Sequence, residues 1–248
     1  MTDTFIIGNG ESRLGLDLDS LREKGKIYGC NALYRDFVPD VLVAIDEAVM
    51  FEIVSTGYQK ENQCYFKHWN LLEEFYYEPS VGTMKSEYDH VYETEEKGSH
   101  FVFFGIEKTL DDKREVLQDV SKLHIIWSSK DDKILSLDDY IDEDTMMDSG
   151  QSASHLSCKI DEPTDVYLIG FDMGDGKGKL NNVYKGTNTY FSSEAKEVNP
   201  VNWVTQHTST FDTFPDVTFH WGHKELKESY MIECDNLKHF DYREIFNN

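Results

Sequence analysis

Basic residues are scarce in this sequence. Its 248 residues hold 24 lysines and arginines against 47 aspartates and glutamates, so the formal net charge is −23. A chain with this balance repels the phosphates of nucleic acids and the anionic surface of membranes, and no basic stripe offsets the excess. We therefore expect neither a nucleic acid nor an acidic membrane surface as a partner.

Cysteines and long apolar runs are few as well. The four cysteines are widely spaced and form no C-x-x-C pair, which excludes a zinc knuckle and indicates reduced thiols. No apolar run reaches eighteen residues, and the chain enters its first apolar run almost at once. We therefore expect no signal peptide, no direct membrane insertion and a cytoplasmic location.

Two common catalytic motifs are also missing. No G-x-x-x-x-G-K-[ST] is present, which excludes a P-loop kinase, and no G-x-S-x-G is present, which excludes the common hydrolase elbow. The acidic run over residues 136–148 is typical of a solvated face, and His220 and His223 lack an identified third ligand. We predict no metal site and no required cofactor.

Short apolar runs bounded by turn residues dominate what is present. Predicted strands cover residues 4–7, 26–30, 41–45, 63–69, 99–106, 123–129, 165–172 and 216–221, and predicted helices cover 14–24, 48–55, 151–160 and 201–214. A surface loop is predicted over residues 88–97. This order predicts an α/β fold, Rossmann-like and three-layered, with a mainly parallel twisted sheet, as one domain over residues 1–248.

The stretch "FIIGNGESRLG" carries the first candidate site. A dinucleotide fingerprint would have a third glycine where Arg13 stands, and an acidic residue where Asn31 stands. Both departures count against NAD or FAD. The pair Gly8 and Gly10 still lets backbone approach a ligand, and Asn9 offers both a donor and an acceptor.

Neighbouring residues complete a possible anion site. Ser12 is predicted to cap the helix over residues 14–24, whose N-terminus favours an anion, and Asn31 ends the next strand. Together with Ser149 and Gly150, these residues suit a mononucleotide or a phosphorylated sugar. The alternative is a tight turn that holds no ligand.

Four further residues leave two interpretations each. Asp46 either accepts from a ribose or an acceptor hydroxyl, or caps the helix over residues 48–55. Asp172 ends a strand before a glycine- and lysine-rich loop that either neutralises phosphate or is only polar. His155 is either a ligand contact or a surface histidine. His207 titrates near neutral pH, which suits a general base, although it is equally typical of a structural histidine.

Four short motifs follow one another along the chain. They are Gly-Asn-Gly-x-Ser after the first strand, Cys-Asn after the second, Ser-Gly before a late helix and Gly-Phe-Asp at the next strand end. In this order the chain resembles the bacterial sialyltransferases of glycosyltransferase family forty-two and the wider sialyltransferase-like group of bacteria and phages. The resemblance implies a Rossmann-like, GT-A-like variant with a small loop-rich lid, expected within residues 173–200, and a cytidine monophosphate (CMP) sugar donor.

The resemblance also implies roles for site residues. Asn9 and Gly10 would contact the donor's phosphate and ribose, Asn31 the nucleotide, and Ser149 and Gly150 the base or sugar, without a bound metal. In that family, two tyrosines steady the leaving phosphate and a histidine serves as base.

Those catalytic positions are matched less closely. The place of the first tyrosine holds Gly174, and Tyr184 or Tyr190 can match the second tyrosine only if a loop insertion is allowed. The place of the histidine falls near residues 199–200, and His207 is the nearest alternative.

Three functions follow from these observations. The first is a glycosyltransferase that moves a sialic-acid-like sugar from CMP to a hydroxyl of a glycan or other acceptor, with inversion. The second is a non-catalytic nucleotide or sugar-phosphate binding protein on the same scaffold, favoured by Gly174 and the displaced histidine. The third is a pterin pyrophosphokinase-like enzyme, which needs magnesium and a triphosphate. A homo-oligomer is compatible with each of them.

Overall fold

A computed structural model describes most of the chain. Side chains are described for residues 3–67, 133–142, 145, 147–172, 178–223 and 232–246, except at positions 47 and 51; for 70–71, 90–93, 101–104 and 125–126 the backbone alone is described.

Twelve strands lie in the described residues. In chain order they are β1 Asp3–Ile7, β2 Gly25–Cys30, β3 Val41–Ala44, β4 Cys64–Phe66, β5 Asn70–Leu71, β6 His90–Glu93, β7 Phe101–Phe104, β8 Ile125–Ile126, β9 Ile134–Ser136, β10 Asp165–Ile169, β11 Thr218–His223 and β12 Leu237–Asp241. Eight of them form one open sheet in the order β12-β11-β10-β1-β2-β3-β4-β9, and every neighbouring pair is parallel.

Helices cover both faces of this sheet. They are α1 Glu47–Thr56, α2 Ser149–Asp161, α3 Val201–Thr213 and the short α4 Arg243–Phe246. Alternate strand residues point to opposite faces, so Phe5 and Ile7 pack in the core cluster with α1, and Ile6 packs in the cluster with α2 and α3. Two apolar layers on one sheet confirm the predicted three-layer α/β fold.

A second, smaller sheet has the order β5-β8-β7-β6. Its β5 and β8 are parallel, while β6–β7 and β7–β8 are antiparallel. The strands predicted in residues 99–106 and 123–129 are confirmed at β7 and β8. The surface loop predicted over residues 88–97 is wrong at His90–Glu93, where β6 pairs residue by residue with β7.

The helix predicted over residues 14–24 is wrong. Two 3-10 turns, Glu11–Arg13 and Leu18–Leu21, stand there instead. Gly15 has a φ of +86°, which interrupts a right-handed helix, and Leu14 is half exposed. Because only Leu18 and Leu21 need to reach the sheet, one short turn buries them.

The strand order creates a switch point beside β1. From β1 the chain builds β2, β3, β4 and β9 outward on one side, and later builds β10, β11 and β12 on the other. Connections leave β1 and β10 in opposite directions, so a crevice opens outside the carboxyl ends of these two strands. Open α/β sheets bind their ligands in such a crevice.

The predicted domain organisation remains a prediction. Residues 178–200 carry no helix or strand beyond the isolated bridge between Lys179 and Lys196, and residues 173–177 lie outside the described part of the chain.

Candidate functional site

Two glycine turns interlock at the switch point. The Gly8 N–H donates to Ile169 O, and the Gly10 N–H donates to Gly170 O, both at 2.8 Å. A Cβ added to Gly8 would stand 2.6 Å from the backbone oxygen of Gly170, closer than a real Cβ can come. Gly170 itself has a φ of +75°. These glycines are therefore required by the contact between the two turns, and their approach to a ligand stays a prediction.

Ser12 joins the same turns by its backbone and its hydroxyl. Its N–H donates to Asp172 Oδ2 at 2.7 Å, and its hydroxyl lies 2.9 Å from the hydroxyl of Tyr242. The Tyr242 oxygen also accepts from the Gly170 N–H at 2.7 Å. The expectation that Ser12 caps a helix is wrong, because no α-helix follows it and its side chain makes no cap.

A cavity of about 640 Å³ opens over this junction. It brings together ten of the twelve predicted site residues: Gly8, Asn9, Gly10, Asn31, Asp46, Ser149, Gly150, Asp172, Tyr190 and His207. Ser12, Tyr184 and His155 are not among the residues that line it. The ring of His155 packs against the ring of Phe214, beside the core cluster that contains α2 and α3.

Two asparagines that line this cavity have amide oxygens without described partners. The amide nitrogen of Asn9 donates to Cys30 O at 3.0 Å, and that of Asn31 donates to Asp46 Oδ2 at 2.5 Å. The amide oxygen of each is buried and has no partner in the part of the chain that the structure describes. A buried acceptor without a donor is costly, so both oxygens suit a ligand that brings hydroxyl or amino groups.

Asn31 has an unusual backbone as well as an unpaired oxygen. Its φ is +49°, in the left-handed region that asparagine tolerates better than most residues, and its side chain is only 8% exposed. Strained conformations of this kind cluster at functional sites. The residue turns the chain directly after β2, at the carboxyl edge of the sheet.

Three carboxylates line the cavity, at Asp46, Asp148 and Asp172. Burial raises the pKa of Asp46, although the hydrogen bond from Asn31 opposes the change. Burial also raises the pKa of Asp148, and so does the nearby charge of Asp46. Hydrogen bonds from Trp203 and Gln206 lower it in part. The described lining contains no lysine or arginine, so the cavity is rich in hydrogen-bond acceptors.

Asp46 does not act as a helix cap. Its side chain makes no capping hydrogen bond to α1, although its backbone oxygen accepts from Val49 and Met50. Of the two interpretations of Asp46, the capping one is therefore wrong, and its carboxylate is left to the cavity.

The start of α2 forms another wall. Ser149 and Gly150 are its first residues, and their N–H groups have no acceptor within the helix. A Cβ on Gly150 would stand 2.4 Å from the ring of Phe171, so the glycine makes room for a ring that also lines the cavity.

The two predicted tyrosines have different surroundings. The Tyr190 hydroxyl lies at the cavity and accepts from Asn9 Nδ2 at 3.4 Å and from the Ala32 N–H at 3.3 Å. Burial raises its pKa to about 12, so the hydroxyl keeps its proton at neutral pH. The Tyr184 hydroxyl instead donates to Asp36 and accepts from Arg13 Nη2, away from the cavity.

Two arginines hold the tyrosine-bearing segment, residues 178–200, against the sheet. Arg13 is 4% exposed and pairs with Asp36 at 3.1 Å, which explains an arginine where a glycine was expected. Arg35 pairs with Glu52 at 2.5 Å and donates to oxygens of residues 187–189. Sequence reasoning missed these anchors, because no local pattern links a residue to a partner about 150 positions away.

His207 is enclosed at the back of the cavity. It is fully buried, both ring nitrogens lack a described partner, and rings of Phe171, Phe211 and Trp221 surround it. Burial lowers its pKa to about 3. The histidine is therefore neutral at pH 7 and a weak proton acceptor.

Two other histidines form separate pairs. His220 Nε2 lies 2.7 Å from Asp165 Oδ1, and His223 Nε2 lies 2.8 Å from His239 Nδ1. Across the described ranges, no group of three or more histidine, cysteine or acidic side chains is placed to hold a metal ion. Within the same ranges, every helix is too short or too polar to cross a membrane.

Comparison with known proteins gives distant structural likenesses. No protein-family model and no curated protein matches the chain. The sialyltransferase CstII from Campylobacter jejuni, in complex with cytidine-5'-monophosphate, is similar with a TM-score of 0.44 and 10% identity, over 89% of this chain and 79% of that one. The sialyltransferase CST-II with trisaccharide acceptor and CMP is similar with a TM-score of 0.43 and 11% identity, over 89% and 80%. At TM-scores below 0.5, these likenesses carry no inference about the ligand or activity of this chain.

Proposed function

We propose that the cavity binds a CMP-linked sugar and that the chain transfers this sugar to an acceptor hydroxyl. One observation carries the proposal. Residues from all four ordered motifs meet at one cavity at the switch point, and two of them, Asn9 and Asn31, have buried amide oxygens without described partners. A tight turn that holds no ligand would not need residues of four separate motifs around one cavity of about 640 Å³.

The walls suggest how the donor is held. Hydroxyl and amino groups of the nucleotide would donate to the Asn9 and Asn31 oxygens, while the free N–H groups of Ser149 and Gly150 would face an acceptor group of the donor. The Tyr190 hydroxyl, protonated at neutral pH, would donate to the phosphate as it leaves. The described cavity lacks basic side chains, so neutral donors would have to stabilise this phosphate.

A second candidate function is a non-catalytic nucleotide or sugar-phosphate binding protein. It is favoured by the Tyr184 hydroxyl, which is engaged by Arg13 and Asp36, and by the enclosure of His207. Under this alternative the donor binds but is not consumed.

Donor turnover separates the two candidates. The protein is incubated with CMP-N-acetylneuraminate, with water as the default acceptor, and CMP release is followed in the presence of EDTA or magnesium. The proposed transferase releases CMP at the same rate in both conditions, and Tyr190→Phe lowers that rate. Binding of CMP without release would establish the non-catalytic alternative. Turnover of a triphosphate in place of the CMP sugar, and only with magnesium, would favour the pyrophosphokinase.

A further inference from the structure

A transferase at this cavity needs a group that accepts the acceptor's proton. A good general base has a pKa near the working pH and is oriented by a partner, usually through a hydrogen bond. His207 has neither property, because burial lowers its pKa to about 3 and its nitrogens have no described partner. Burial raises the pKa of the Cys30 thiol and of the Tyr190 hydroxyl to about 12, which leaves the carboxylates among the described lining residues.

Asp46 has the arrangement that such a base requires. It follows β3 at the carboxyl edge of the sheet, lines the cavity, and its side chain is reached by solvent. Asn31 donates to its Oδ2 at 2.5 Å, and among the residues that the structure describes no other side chain or backbone group bonds the carboxylate, so Oδ1 has no described partner.

The other two carboxylates are engaged elsewhere. Asp172 accepts the Ser12 N–H and closes the contact between the glycine turns. Asp148 precedes α2 and receives hydrogen bonds from Trp203 and Gln206. Asp46 is therefore the one of the three whose single described partner is a side chain, that of Asn31, rather than a group of the interlocked turns.

The contact with Asp46 also explains the left-handed backbone of Asn31. Its φ of +49° brings the amide from the end of β2 to a carboxylate at the end of β3, across neighbouring strands. The titratable groups that interact electrostatically with Asp46 are Asp148 and Tyr190. Both are acidic, so neither neutralises its charge.

We infer that Asp46, oriented by Asn31, is the catalytic base of the transfer; this rests on the proposed function. The acceptor oxygen forms a bond to the anomeric carbon of the donor sugar, and the bond from that carbon to the phosphate oxygen breaks. The acceptor's proton moves to Asp46, and CMP leaves with the electron pair of the broken bond. Asn31 is a positioning residue in this step.

The test measures CMP release from CMP-N-acetylneuraminate across pH, with water as acceptor. Asp46→Asn keeps the size of the side chain and can still accept from Asn31, while it loses the proton-accepting oxygen. We expect kcat to fall about 100-fold or more, with the donor KM within a few-fold of wild type. The acid limb of the wild-type pH–rate profile should disappear in this variant. Asp216→Asn, the same charge change at the exposed amino end of β11, serves as control and should match wild type.

Other results would overturn the inference. If Asp46→Asn keeps the wild-type kcat and acid limb, or if Asp148→Asn or His207→Gln carries the loss instead, Asp46 is not the base. If the wild-type protein binds CMP but releases none from the donor, the proposed transfer itself fails, and the inference fails with it. A shared loss of binding and turnover in Asp46→Asn would make Asp46 a ligand contact only.

Discussion

Two regions bring side chains to the same cavity, and they are held in different ways. The glycine turns after β1 and β10 interlock through backbone hydrogen bonds at 2.8 Å, with no room for a side chain between them. Residues 178–200 form no helix or strand beyond one isolated bridge, and the side chains of Arg13 and Arg35 hold them, together with single hydrogen bonds such as that from the Val183 N–H to Asn9 O. The glycine turns are fixed by backbone geometry, whereas the segment that carries Tyr190 is held largely by side-chain contacts.

The two regions separate the groups that would hold the nucleotide from the hydroxyl that would act on the phosphate. Groups that would hold a nucleotide lie on the sheet and its turns, where packing is dense, while the hydroxyl that would act on the phosphate lies on the arginine-held segment. Loops on a rigid scaffold commonly carry function for this reason. Substitutions in the glycine turns should lower the free energy of unfolding most. Substitutions that affect residues 178–200 should mainly change the order of that segment and the activity.

The largest effect is expected for Gly8→Ala. Its Cβ would meet the backbone oxygen of Gly170, which cannot move without breaking the turn contact, so we expect a loss of about 3 kcal/mol in the free energy of unfolding. Gly150→Ala is the matched control, because its Cβ meets the ring of Phe171, and a ring can shift. Urea unfolding measures both. Equal losses would mean that the turns are not interlocked as described.

The next effect tests the residue that joins the two regions. Arg13→Met removes the buried guanidinium that pairs with Asp36 and donates to Tyr184. Since Asp36 stays partly solvated, we expect a cost of about 2 kcal/mol, below the usual range for a broken buried pair. Limited proteolysis should also cut residues 178–200 faster. An unchanged cleavage rate would show that Arg13 does not hold this segment.

A smaller loss in the free energy of unfolding is expected at Tyr242, whose hydroxyl contacts both glycine turns. Tyr242→Phe leaves the buried Gly170 N–H without its acceptor and removes the contact with Ser12, at a cost of about 1–2 kcal/mol. Tyr167→Phe, whose described contacts are ring packing, is the control in the same urea titration. A loss no greater than that of the control would mean that the Tyr242 hydroxyl does not hold the two turns together.

The smallest effect concerns pH and the second arginine. Burial acts to raise the pKa of Glu52, but hydrogen bonds from Arg35, Tyr34 and Thr189 outweigh it, and the pKa lies below its ordinary 4.5. Because folding lowers this pKa, the stability that the ionised Glu52 contributes is complete above about pH 4.5 and is lost as the pH falls through the folded-state pKa. Proteolysis of residues 178–200 by an acid-active protease should therefore accelerate below pH 4.5 in wild type.

Arg35→Ala supplies the control for that pH effect. The variant should be cleaved faster at neutral pH and show little further acceleration in acid, because the pair is already absent. The loss of stability is expected to be about 1 kcal/mol, at the upper end for pairs that solvent still reaches. Parallel pH dependence in wild type and variant would exclude the Arg35–Glu52 pair as the cause.

The sequence predicted the first region better than the second. Continuous apolar runs such as "VLVA" in β3 identify strands buried on both faces, and the order of these runs indicated the parallel sheet. The edge strand β12 was missed, because three of its five residues, Lys238, His239 and Asp241, are polar or charged and leave no apolar run. The 3-10 turns that replace the predicted helix depend on the φ of Gly15, which composition does not reveal.

The site was predictable where its residues follow strands. Asn9, Asn31 and Asp46 each stand one or two positions after the end of a parallel strand, so the sheet brings them to one edge. Contacts of long sequence separation were not predictable, as in the hydroxyl pair of Ser12 and Tyr242, 230 positions apart. For the same reason, no local pattern distinguished Tyr190 at the cavity from Tyr184 outside it.

The central claim is that the cavity binds CMP, and thermal unfolding against a nucleotide panel tests it most directly. The panel is CMP, UMP, GDP, ATP and NAD, each with and without magnesium, on wild type and Asn31→Ala. At a hundredfold excess over Kd, a ligand adds about 2.7 kcal/mol, which raises Tm by roughly 5–10 °C for a chain of this size. We expect that rise with CMP, independent of magnesium and reduced in Asn31→Ala. A rise with ATP that requires magnesium, or no rise with any nucleotide, would contradict the claim.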